Sequence, residues 1–383
     1  MNRQNALILL SSGGTGGHIF PAQAVAETLL ARGYKLALVT DRRGSAYKGA
    51  LMAIDTYAIQ AAGVSGRGPF AKIAALGRLT AGYFQARRLL RYLKPNVIVG
   101  FGGYPTIPAL LAASHLGIKS TIHEQNAVLG RANRILAPRA TRIATAFKTT
   151  AFLRNADQIK AVWTGNPVRP EIVAMRDNAF PELGDGSPIR LLITGGSQGA
   201  AIFSAIVPTA LSNLPADLRQ RLHVTQQCRE EDLTEVHKTY AKAGITADLS
   251  SFFEDIPQHL AAAHLLICRA GASTIAELAT AGRPAILVPY PHAIDDHQTV
   301  NAARLCDSGG GWLMPDTDFT AETLSARLVS LFAMEKTLTM AARCAAQIGM
   351  PEATEKLADV IAGVIGTNGN GQDATDPLRE AAA

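Results

Sequence analysis

Residues 6–18, ALILLSSGGTGGH, run from a short apolar segment into a glycine-rich turn that ends in a histidine, and residues 189–200, IRLLITGGSQGA, repeat this arrangement. Such a run is typical of a buried parallel strand, and the glycines allow a sharp turn into a helix. Similar runs, KLALVT, NVIVGFGG, RLHVTQQ, HLLICRAGAS and PAILVPYP, alternate with helical segments, the first of which are expected near Phe20, Gly44 and Pro105. The pattern predicts an α/β protein with two Rossmann-like, doubly wound parallel-sheet domains that face each other across a cleft.

The boundary between the two domains is expected near GNPVRP, residues 165–170, where a glycine and two prolines interrupt regular structure. This divides the chain into residues 1–165 and 166–365, and the last helix of the second part can pack back on the first. Residues 366–383 are polar and glycine-rich, which predicts a disordered tail.

The composition is that of a globular protein, with 48% hydrophobic and 18% charged residues in a chain of 383. No apolar run approaches the ~20 residues that span a bilayer, and the N-terminus lacks a signal-peptide core. The chain is therefore expected to stay in the cytoplasm. Its four cysteines form no CxxC pair, which indicates reduced thiols.

The charges are distributed unevenly along the chain. The formal net charge is +6, and no acidic residue lies between Asp55 and Glu124. A segment with only basic charges favours binding to an anionic surface, either nucleic acid or phospholipid headgroups, although a solvated helix face gives the same pattern. The basic residues of the block are Arg67, Lys72, Arg78, Arg87, Arg88, Arg91, Lys94 and Lys119.

The first glycine turn predicts a cradle for a phosphate or a sugar over residues 11–17, because its amides and the following helix end attract anions. A plain strand-to-helix link is the alternative. The same helix end disfavours a charged imidazole at His18, which makes His18 a candidate general base, or else only a helix cap. Asp41, with Arg42 and Arg43, follows the second strand as in dinucleotide-binding proteins, but the glycine spacing is not GxGxxG.

The second half contains a further strand-to-helix turn, CRAGASTIAELATAGRP, at residues 268–284. The helix start at Ala272, Ser273 and Thr274 suits a diphosphate, and Glu277, one turn later, can accept hydrogen bonds from a ribose. A capping box between Thr274 and Glu277 is the alternative. Residues 195–199, GGSQG, place Ser197 and Gln198 at the same crevice.

The stretch PYPHAIDDHQTVNA, residues 289–302, gathers histidine, aspartate and glutamine side chains. We interpret it as a sugar-binding loop with Gln298 as the partner of the hydroxyls. A metal site is the alternative, but no HxxxH or CxxC spacing supports it, and we expect no metal.

These residues resemble the family of UDP-N-acetylglucosamine:lipid I N-acetylglucosaminyltransferases of bacterial peptidoglycan synthesis. The resemblance is carried by GGTGGHIFPA, VGFGGYPTIPALLAA, HEQNAVLGRANR, GNPVR, TGGSQGA, CRAGASTIAEL and HQTVNA, between residue 13 and about residue 302. It implies the GT-B fold, an N-terminal acceptor domain, and a C-terminal donor domain. It also implies inverting transfer of GlcNAc from UDP-GlcNAc to the MurNAc 4-hydroxyl of lipid I, without a cofactor. The partners are then UDP-GlcNAc, lipid I and an anionic phospholipid surface, with no nucleic acid.

The resemblance also assigns roles to single residues. His18 is implied as the base, with Glu124 as the competing carboxylate. Glu277 would bind the ribose, the backbone around Phe253 would bind the uracil, and Gln298 would bind the GlcNAc hydroxyls. The loop before Gln298 is one residue longer than the family pattern, which makes the position of Gln298 less secure than that of Glu277. The remaining implied donor contacts are Thr15, Gly16, Gly17, Asn126, Arg169, Ser197, Gln198, Ala272, Ser273 and Thr274.

The basic block then predicts peripheral docking on the cytoplasmic face of the inner membrane. Apolar and basic residues alternate there, and the candidate docking residues are Phe70, Lys72, Ile73, Leu76 and Arg78. Two other functions stay open: a GT-B enzyme with a different lipid or small-molecule acceptor, and a nucleotide-sugar-binding protein or epimerase without transfer activity.

Overall fold

The first half of the chain folds around a seven-stranded parallel sheet. The computed structural model describes residues 6–13, 16–41, 49–61, 69–184, 186–196, 201–334 and 336–366, without the side chains of residues 49 and 69–73. The strands lie in the order β3-β2-β1-β4-β5-β6-β7. Their bounds are β1 Leu7–Ser11, β2 Lys35–Thr40, β3 Asp55–Ala58, β4 Val97–Gly100, β5 Lys119–Glu124, β6 Arg142–Thr145 and β7 Ala161–Trp163.

Helices cover both faces of this sheet because the strand residues are apolar on both faces. Ile8 and Leu10 of β1 belong to one buried cluster, and Leu9 belongs to the cluster on the opposite face. The helices are α1 Gly16–Ala31, α2 Pro69–Leu93, α3 Thr106–His115, α4 Arg131–Leu136, α5 Asn155–Gln158 and α6 Pro170–Val173, with short 3-10 turns at Gly49–Ala53 and Ala137–Arg139.

The second half repeats the design with a six-stranded parallel sheet in the order β10-β9-β8-β11-β12-β13. Its strands are β8 Ile189–Thr194, β9 Leu222–Gln227, β10 Thr246–Ser250, β11 Leu265–Cys268, β12 Ala285–Leu287 and β13 Gly311–Leu313. Its helices are α7 Ala201–Ser212, α8 Ala216–Arg221, α9 Leu233–Ala243, α10 Ile256–Ala262, α11 Ala272–Ala281, α12 His297–Asp307, α13 Ala321–Phe332 and α14 Thr337–Gln347, with 3-10 turns at Glu230–Asp232 and Ile294–Asp296.

The last helix, α15 (Ala353–Gly366), leaves the second lobe and joins the core of the first. Leu357 and Ile361 pack in one cluster with Ile8 and Val99 of the first sheet. At the crossing, a Cβ on Gly165 would lie 2.9 Å from the Cβ of Ala353, so the two connections between the lobes pass each other closely. Of the predicted tail, residues 366–383, Gly366 ends α15, and residues 367–383 lie outside the described part of the chain.

Both sheets reverse their strand order at one place, between β1 and β4 in the first and between β8 and β11 in the second. In doubly wound sheets, ligands bind at the carboxyl ends of the strands beside this reversal. The predicted fold class is confirmed, and both glycine-rich turns lie at such positions. The first helix begins at Gly16 rather than near Phe20, the third begins at Thr106 as expected near Pro105, and Gly44 lies outside the described residues.

Among the described residues, the largest fully buried side chain is that of Arg283, which is 1% exposed. Its guanidinium donates to the carbonyl oxygens of Leu260, Ala261, Ala281 and Gly282 at 2.9–3.2 Å. These bonds tie the end of α10 to the end of α11. Burial lowers the pKa of Arg283, which shows the cost of holding a cation there.

Replacing Arg283 with methionine should lower the free energy of unfolding of the C-terminal lobe by about 2 kcal/mol, because several buried carbonyls lose their donor. Urea unfolding followed by circular dichroism measures the change. Arg343→Met, on the exposed side of α14, is the control and should change stability little. Equal unfolding midpoints for the two variants would contradict this account of Arg283.

Candidate functional site

The glycine turn after β1 packs against the glycine pair after β4. The amide of Gly13 donates to the carbonyl of Gly102 at 3.0 Å, and a Cβ on Gly103 would lie 2.7 Å from the Cα of Gly13. Gly102 and Gly103 have φ of +94° and +84°, which favours glycine at both. The glycines are therefore needed here for a close approach of two backbones.

This packing corrects the prediction that all of residues 11–17 cradle an anion. Ser11 and Ser12 are buried, the amide of Ser12 donates to a carbonyl of β2, and the amide of Gly13 is used as described. The amides of Ser12 and Gly13 therefore form hydrogen bonds within the first lobe and are not available to an anion. Gly16 and Gly17 form the first turn of α1, and Thr15 lies outside the described residues.

His18 lies in the first turn of α1, at the reversal of the first sheet. Its Nδ1 is 3.3 Å from Oε1 of Gln125, and a Cβ on Gly102 would lie 2.8 Å from its Cε1. Burial lowers the pKa of His18 below its usual 6.5, against the nearby charge of Glu124, which raises it. The direction agrees with the predicted neutral imidazole, but burial rather than the helix end is the main cause.

Glu124, the competing carboxylate, ends β5 and is buried. Its Oε1 accepts from the amide and the side chain of Asn126 at 3.0 and 3.1 Å, and its Oε2 accepts from the amide of Gly130 and Nδ2 of Asn133, both at 2.8 Å. Four donors hold the carboxylate, so it shapes the loop after β5. A proton acceptor in catalysis needs a lone pair aimed at the substrate, which favours His18 over Glu124.

Asn126 connects this loop to the second lobe through Asn301 of α12. Nδ2 of Asn301 donates to Oδ1 of Asn126 at 3.1 Å and to the carbonyl of Ala270 at 3.3 Å, and its Oδ1 accepts from the amide of Ala127 at 2.8 Å. Asn301 is fully buried. The side chain thus joins the loop after β5 to the loop after β11, across the cleft.

A second contact across the cleft involves the loop before α12. Asp295 and Asp296 have φ of +55° and +50°, a strained backbone for non-glycine residues. Arg134 of α4 pairs with Asp295 at 2.5 Å, and Arg131 lies 3.8 Å from it. These cations hold the strained loop next to α12, which begins at His297.

Arg169 and Glu277, which the sequence predicts as separate contacts, form an ion pair. Nε and Nη2 of Arg169 lie 3.0 Å from Oε1 of Glu277. Burial raises the pKa of Glu277, and the charge of Arg169 opposes this shift. The capping-box alternative is wrong, because α11 is capped by Gly271 and has no side-chain capping bond.

The start of α11 lies at the reversal of the second sheet, as predicted. Ala272, Ser273 and Thr274 form its first turn. The Oγ of Ser273 is buried and has no hydrogen-bond partner among the described residues. Gln298 lies beside this turn, where its Oε1 accepts from the amides of Ala270 at 3.2 Å and Tyr290 at 2.9 Å. Its amide nitrogen is therefore the group that can donate to a ligand.

The other predicted binding residues are placed less completely. Phe253 is buried, with its ring 4.9 Å from that of His259 in an edge-on arrangement. Ser197 and Gln198 lie outside the described residues. Within the part of the chain that the structure describes, no group of three or more His, Cys, Asp or Glu side chains is placed to bind a metal ion.

The basic helix α2 exposes apolar residues. Leu76 is 63% exposed and Phe84 equally so, and Arg78 is exposed between them. The side chains of Phe70, Lys72 and Ile73 lie outside the described residues. No described helix is long and apolar enough to cross a membrane.

Sequence reasoning missed Gln125 and Asn301, although both lie inside motifs that it singled out. Gln125 is the third residue of HEQN, and Asn301 is the fifth of HQTVNA. Gln125 directly follows β5, and a polar residue at that position is a signal that the sequence contains, whereas Asn301 lies within α12 and has no such local signal. Their partners, His18 and Asn126, could not be deduced from local sequence.

The chain is similar to curated proteins and solved structures over nearly its whole length. Residues 8–145 match the glycosyltransferase family 28 N-terminal domain, and residues 190–359 match the family 28 C-terminal domain. The UDP-N-acetylglucosamine--N-acetylmuramyl-(pentapeptide) pyrophosphoryl-undecaprenol N-acetylglucosamine transferase of Paramagnetospirillum magneticum is 52% identical over 365 residues, 95% of this chain and 98% of that one. The protein of the same description from Rhodospirillum centenum is 50% identical, over 98% of this chain and 99% of that one.

The crystal structure of Acinetobacter baumannii MurG matches with a TM-score of 0.74 and 32% identity, over 94% of this chain and 99% of that one. The sequence similarity and the two facing parallel sheets indicate the same family and the same fold. The chain therefore belongs to glycosyltransferase family 28 and is a glycosyltransferase with the GT-B fold.

Proposed function

We propose that this enzyme moves GlcNAc from UDP-GlcNAc to the MurNAc 4-hydroxyl of lipid I, with inversion at the anomeric carbon, to form lipid II and UDP. The observation that carries the proposal is the placement of His18 and of the α11 start at the facing strand ends of two sheets, joined by Asn126 and Asn301. The descriptions of the curated relatives name this donor and this acceptor.

Inversion requires one displacement. The imidazole of His18 accepts the proton of the acceptor hydroxyl while the oxygen attacks C1 of GlcNAc, and the bond from C1 to the diphosphate breaks with its electron pair on UDP. The start of α11 offers free amides and a partial positive charge to the leaving diphosphate. The base, on α1, and the site of the leaving group, at the start of α11, then lie on different lobes.

The donor contacts divide between the two lobes. Glu277 accepts hydrogen bonds from the ribose hydroxyls, and Arg169, its ion-pair partner, remains beside it as a cation toward the diphosphate. The amide nitrogen of Gln298 donates to GlcNAc, and the backbone at Phe253 holds the uracil. Further proposed contacts are Thr15, Gly16, Gly17, Asn126, Ser197, Gln198, Ala272, Ser273 and Thr274.

The decisive experiment incubates the protein with labelled UDP-GlcNAc and a short-chain lipid I analogue. Disaccharide product and free UDP in equal amounts are expected. Transfer only to a diacylglycerol or small aglycone would support a different acceptor, and formation of an epimerised sugar nucleotide without transfer would support the epimerase alternative. Either result would overturn the proposal.

Gly102→Ala should lower kcat about 10-fold or more and leave UDP-GlcNAc affinity nearly unchanged. The added Cβ would lie 2.8 Å from Cε1 of His18, so the imidazole must move, and small misplacements of a catalytic group are costly. Gly33→Ala is the matched control, since Gly33 has a φ of +84° but open space around its Cβ position. Equal kcat losses in the two variants would show that backbone strain, and not the position of His18, causes the effect.

We further propose that the exposed face of α2 docks the enzyme on anionic phospholipid at the cytoplasmic face of the inner membrane. The face contains exposed apolar residues and cations, and no acidic residue lies between Asp55 and Glu124. Apolar side chains enter the interface while cations contact headgroups. The candidate residues are Phe70, Lys72, Ile73, Leu76 and Arg78, with Phe84 added by its exposure.

Arg78→Glu should weaken binding to vesicles with anionic lipid about 10-fold or more. The substitution changes the charge by two units, and each unit contributes roughly 1 kcal/mol of attraction to the anionic surface. Sedimentation with phosphatidylglycerol vesicles measures the binding. Arg327→Glu, exposed on α13 of the other lobe, makes the same charge change and should bind like the parent. Equal partitioning of the two variants would refute docking through α2.

A further inference from the structure

A buried chain of hydrogen bonds leads from the connection between the lobes to His18. It runs from the carbonyl of Gly165 through His123 and Gln125 to the imidazole of His18. His123 and Gln125 are both buried, so water does not compete for these groups. One end, at Gly165, and the side branch at Phe101 are backbone carbonyls, which only accept hydrogen bonds, and together with the single proton of neutral His123 they settle the direction of every bond.

The first fixed point is the carbonyl of Gly165, which lies 3.2 Å from Nε2 of His123. Nε2 must therefore carry a proton. Burial lowers the pKa of His123 from its usual 6.5 to about 4, so the ring is neutral near pH 7 and holds one proton only. Nδ1 of His123 is then an acceptor.

The second fixed point is the carbonyl of Phe101, 2.9 Å from Nε2 of Gln125. The same nitrogen lies 3.1 Å from Nδ1 of His123 and 3.2 Å from the carbonyl oxygen of His123, so the three groups around it are all hydrogen-bond acceptors. The reversed amide would place Oε1 against a carbonyl and a ring lone pair, which is repulsive. Oε1 of Gln125 therefore faces His18, whose Nδ1 must donate to it across 3.3 Å.

We propose that Gln125 and His123 are positioning residues that hold His18 in the Nδ1–H tautomer and so leave the lone pair on Nε2. The inference rests on the proposed function and deepens it by assigning the nitrogen that acts as base. When Nε2 takes the hydroxyl proton, the Nδ1–H bond to Gln125 stays in place, so the ring keeps its orientation through the reaction.

The group that accepts the hydrogen bond from His18 is a neutral amide, the side chain of Gln125. A carboxylate in the same place would stabilise the imidazolium and raise the pKa of His18, which would protonate the base before substrate binds. The charged and titratable groups around His18 are Glu124, which raises its pKa, and His297 and neutral His123. Gln125 thus orients the ring without adding another negative charge.

The test measures the tautomers directly in the free, full-length protein. With histidine labelled by ¹⁵N in the ring, long-range ¹H–¹⁵N spectra report which nitrogen carries the proton for each of the nine histidines. Loss of signals in His18→Ala and His123→Gln assigns the two rings. We expect the proton on Nδ1 of His18 and on Nε2 of His123, and a proton on Nε2 of His18 would overturn the proposal. No substrate is needed, so this outcome is separate from that of the transfer assay.

A second measurement uses kinetics. In Gln125→Glu, the carboxylate should move the acid limb of the kcat–pH profile up by about one unit, while Gln125→Met should lower kcat about 10-fold with little change in KM. Gln347→Glu, an exposed position on α14, is the charge control and should leave the profile as it is. An unshifted limb in Gln125→Glu, with parent kcat in Gln125→Met, would refute positioning by Gln125 whatever the tautomer.

Discussion

His18→Ala should lower kcat for GlcNAc transfer by about 10² to 10⁴-fold, the range that a general base contributes. The reason is that the described cleft offers Nε2 of His18 as a proton acceptor, whereas the carboxylate of Glu124 is held by four donors. Initial rates of UDP release with saturating substrates measure the effect. Calorimetric binding of UDP-GlcNAc should change little, because the proposed contacts of the uracil and the ribose and the helix start proposed for the diphosphate lie on the other lobe.

The pH dependence of kcat gives an independent check on His18. A base works only when deprotonated, and burial lowers its pKa, so the rate should stay level near pH 7 and fall only as pH drops below 6.5. The acid limb should disappear in His18→Ala. A variant that keeps the parent rate, or an acid limb that survives the substitution, would identify Glu124 or another group as the base.

Lowering the pH from 7 to 4 should destabilise the protein by about 3 kcal/mol through His123 alone. Its pKa is about 4 in the folded chain against 6.5 in the unfolded chain, and each unit corresponds to about 1.36 kcal/mol. The folded pKa is the lower one, so the unfolded chain binds more protons between these values. The stabilisation is complete above pH 6.5 and is lost as the pH falls toward 4.

The measurement compares urea unfolding of the parent and of His123→Gln across this pH range. The variant is expected to be less stable at pH 7 and to lose about 3 kcal/mol less on acidification. His223→Gln, at an exposed position of β9, is the control and should follow the parent at every pH. Parallel curves for the parent and His123→Gln would show that His123 is not held neutral by burial.

The strand-to-helix turns could be read from the sequence because their determinants are local. Apolar runs such as LILLS and IRLLIT form the central strands β1 and β8, and glycine-rich turns follow them. Several strands that sequence analysis did not identify are short or at an edge: β7 has three residues, none of them buried, and β3 has one half-buried residue among exposed ones. The central strand β5 was also missed, because its sequence KSTIHE is mostly polar although five of its six residues are buried. Such segments have too weak an apolar signal, and only the neighbouring strand determines their pairing.

The site residues divide in the same way. His18, Glu277 and Gln298 stand beside glycine turns or helix starts, so their residue type and position already indicate a chemical role. The contacts of these residues could not be predicted from the sequence. The ion pair of Arg169 with Glu277, and the use of Gly13 to pack against Gly102 instead of binding an anion, depend on segments far apart in the chain.

The amino-acid sequence by itself determined the two parallel sheets and the turns at which ligands bind, because hydrophobic pattern and glycine turns act over a few residues. Tertiary structure alone decided which groups meet at those turns. Gln125 and His18 are 107 residues apart, and Asn301 and Asn126 are 175 apart. Hydrogen bonds have directions that are satisfied only when both partners are in place, so the state of His18 is a property of the assembled lobes.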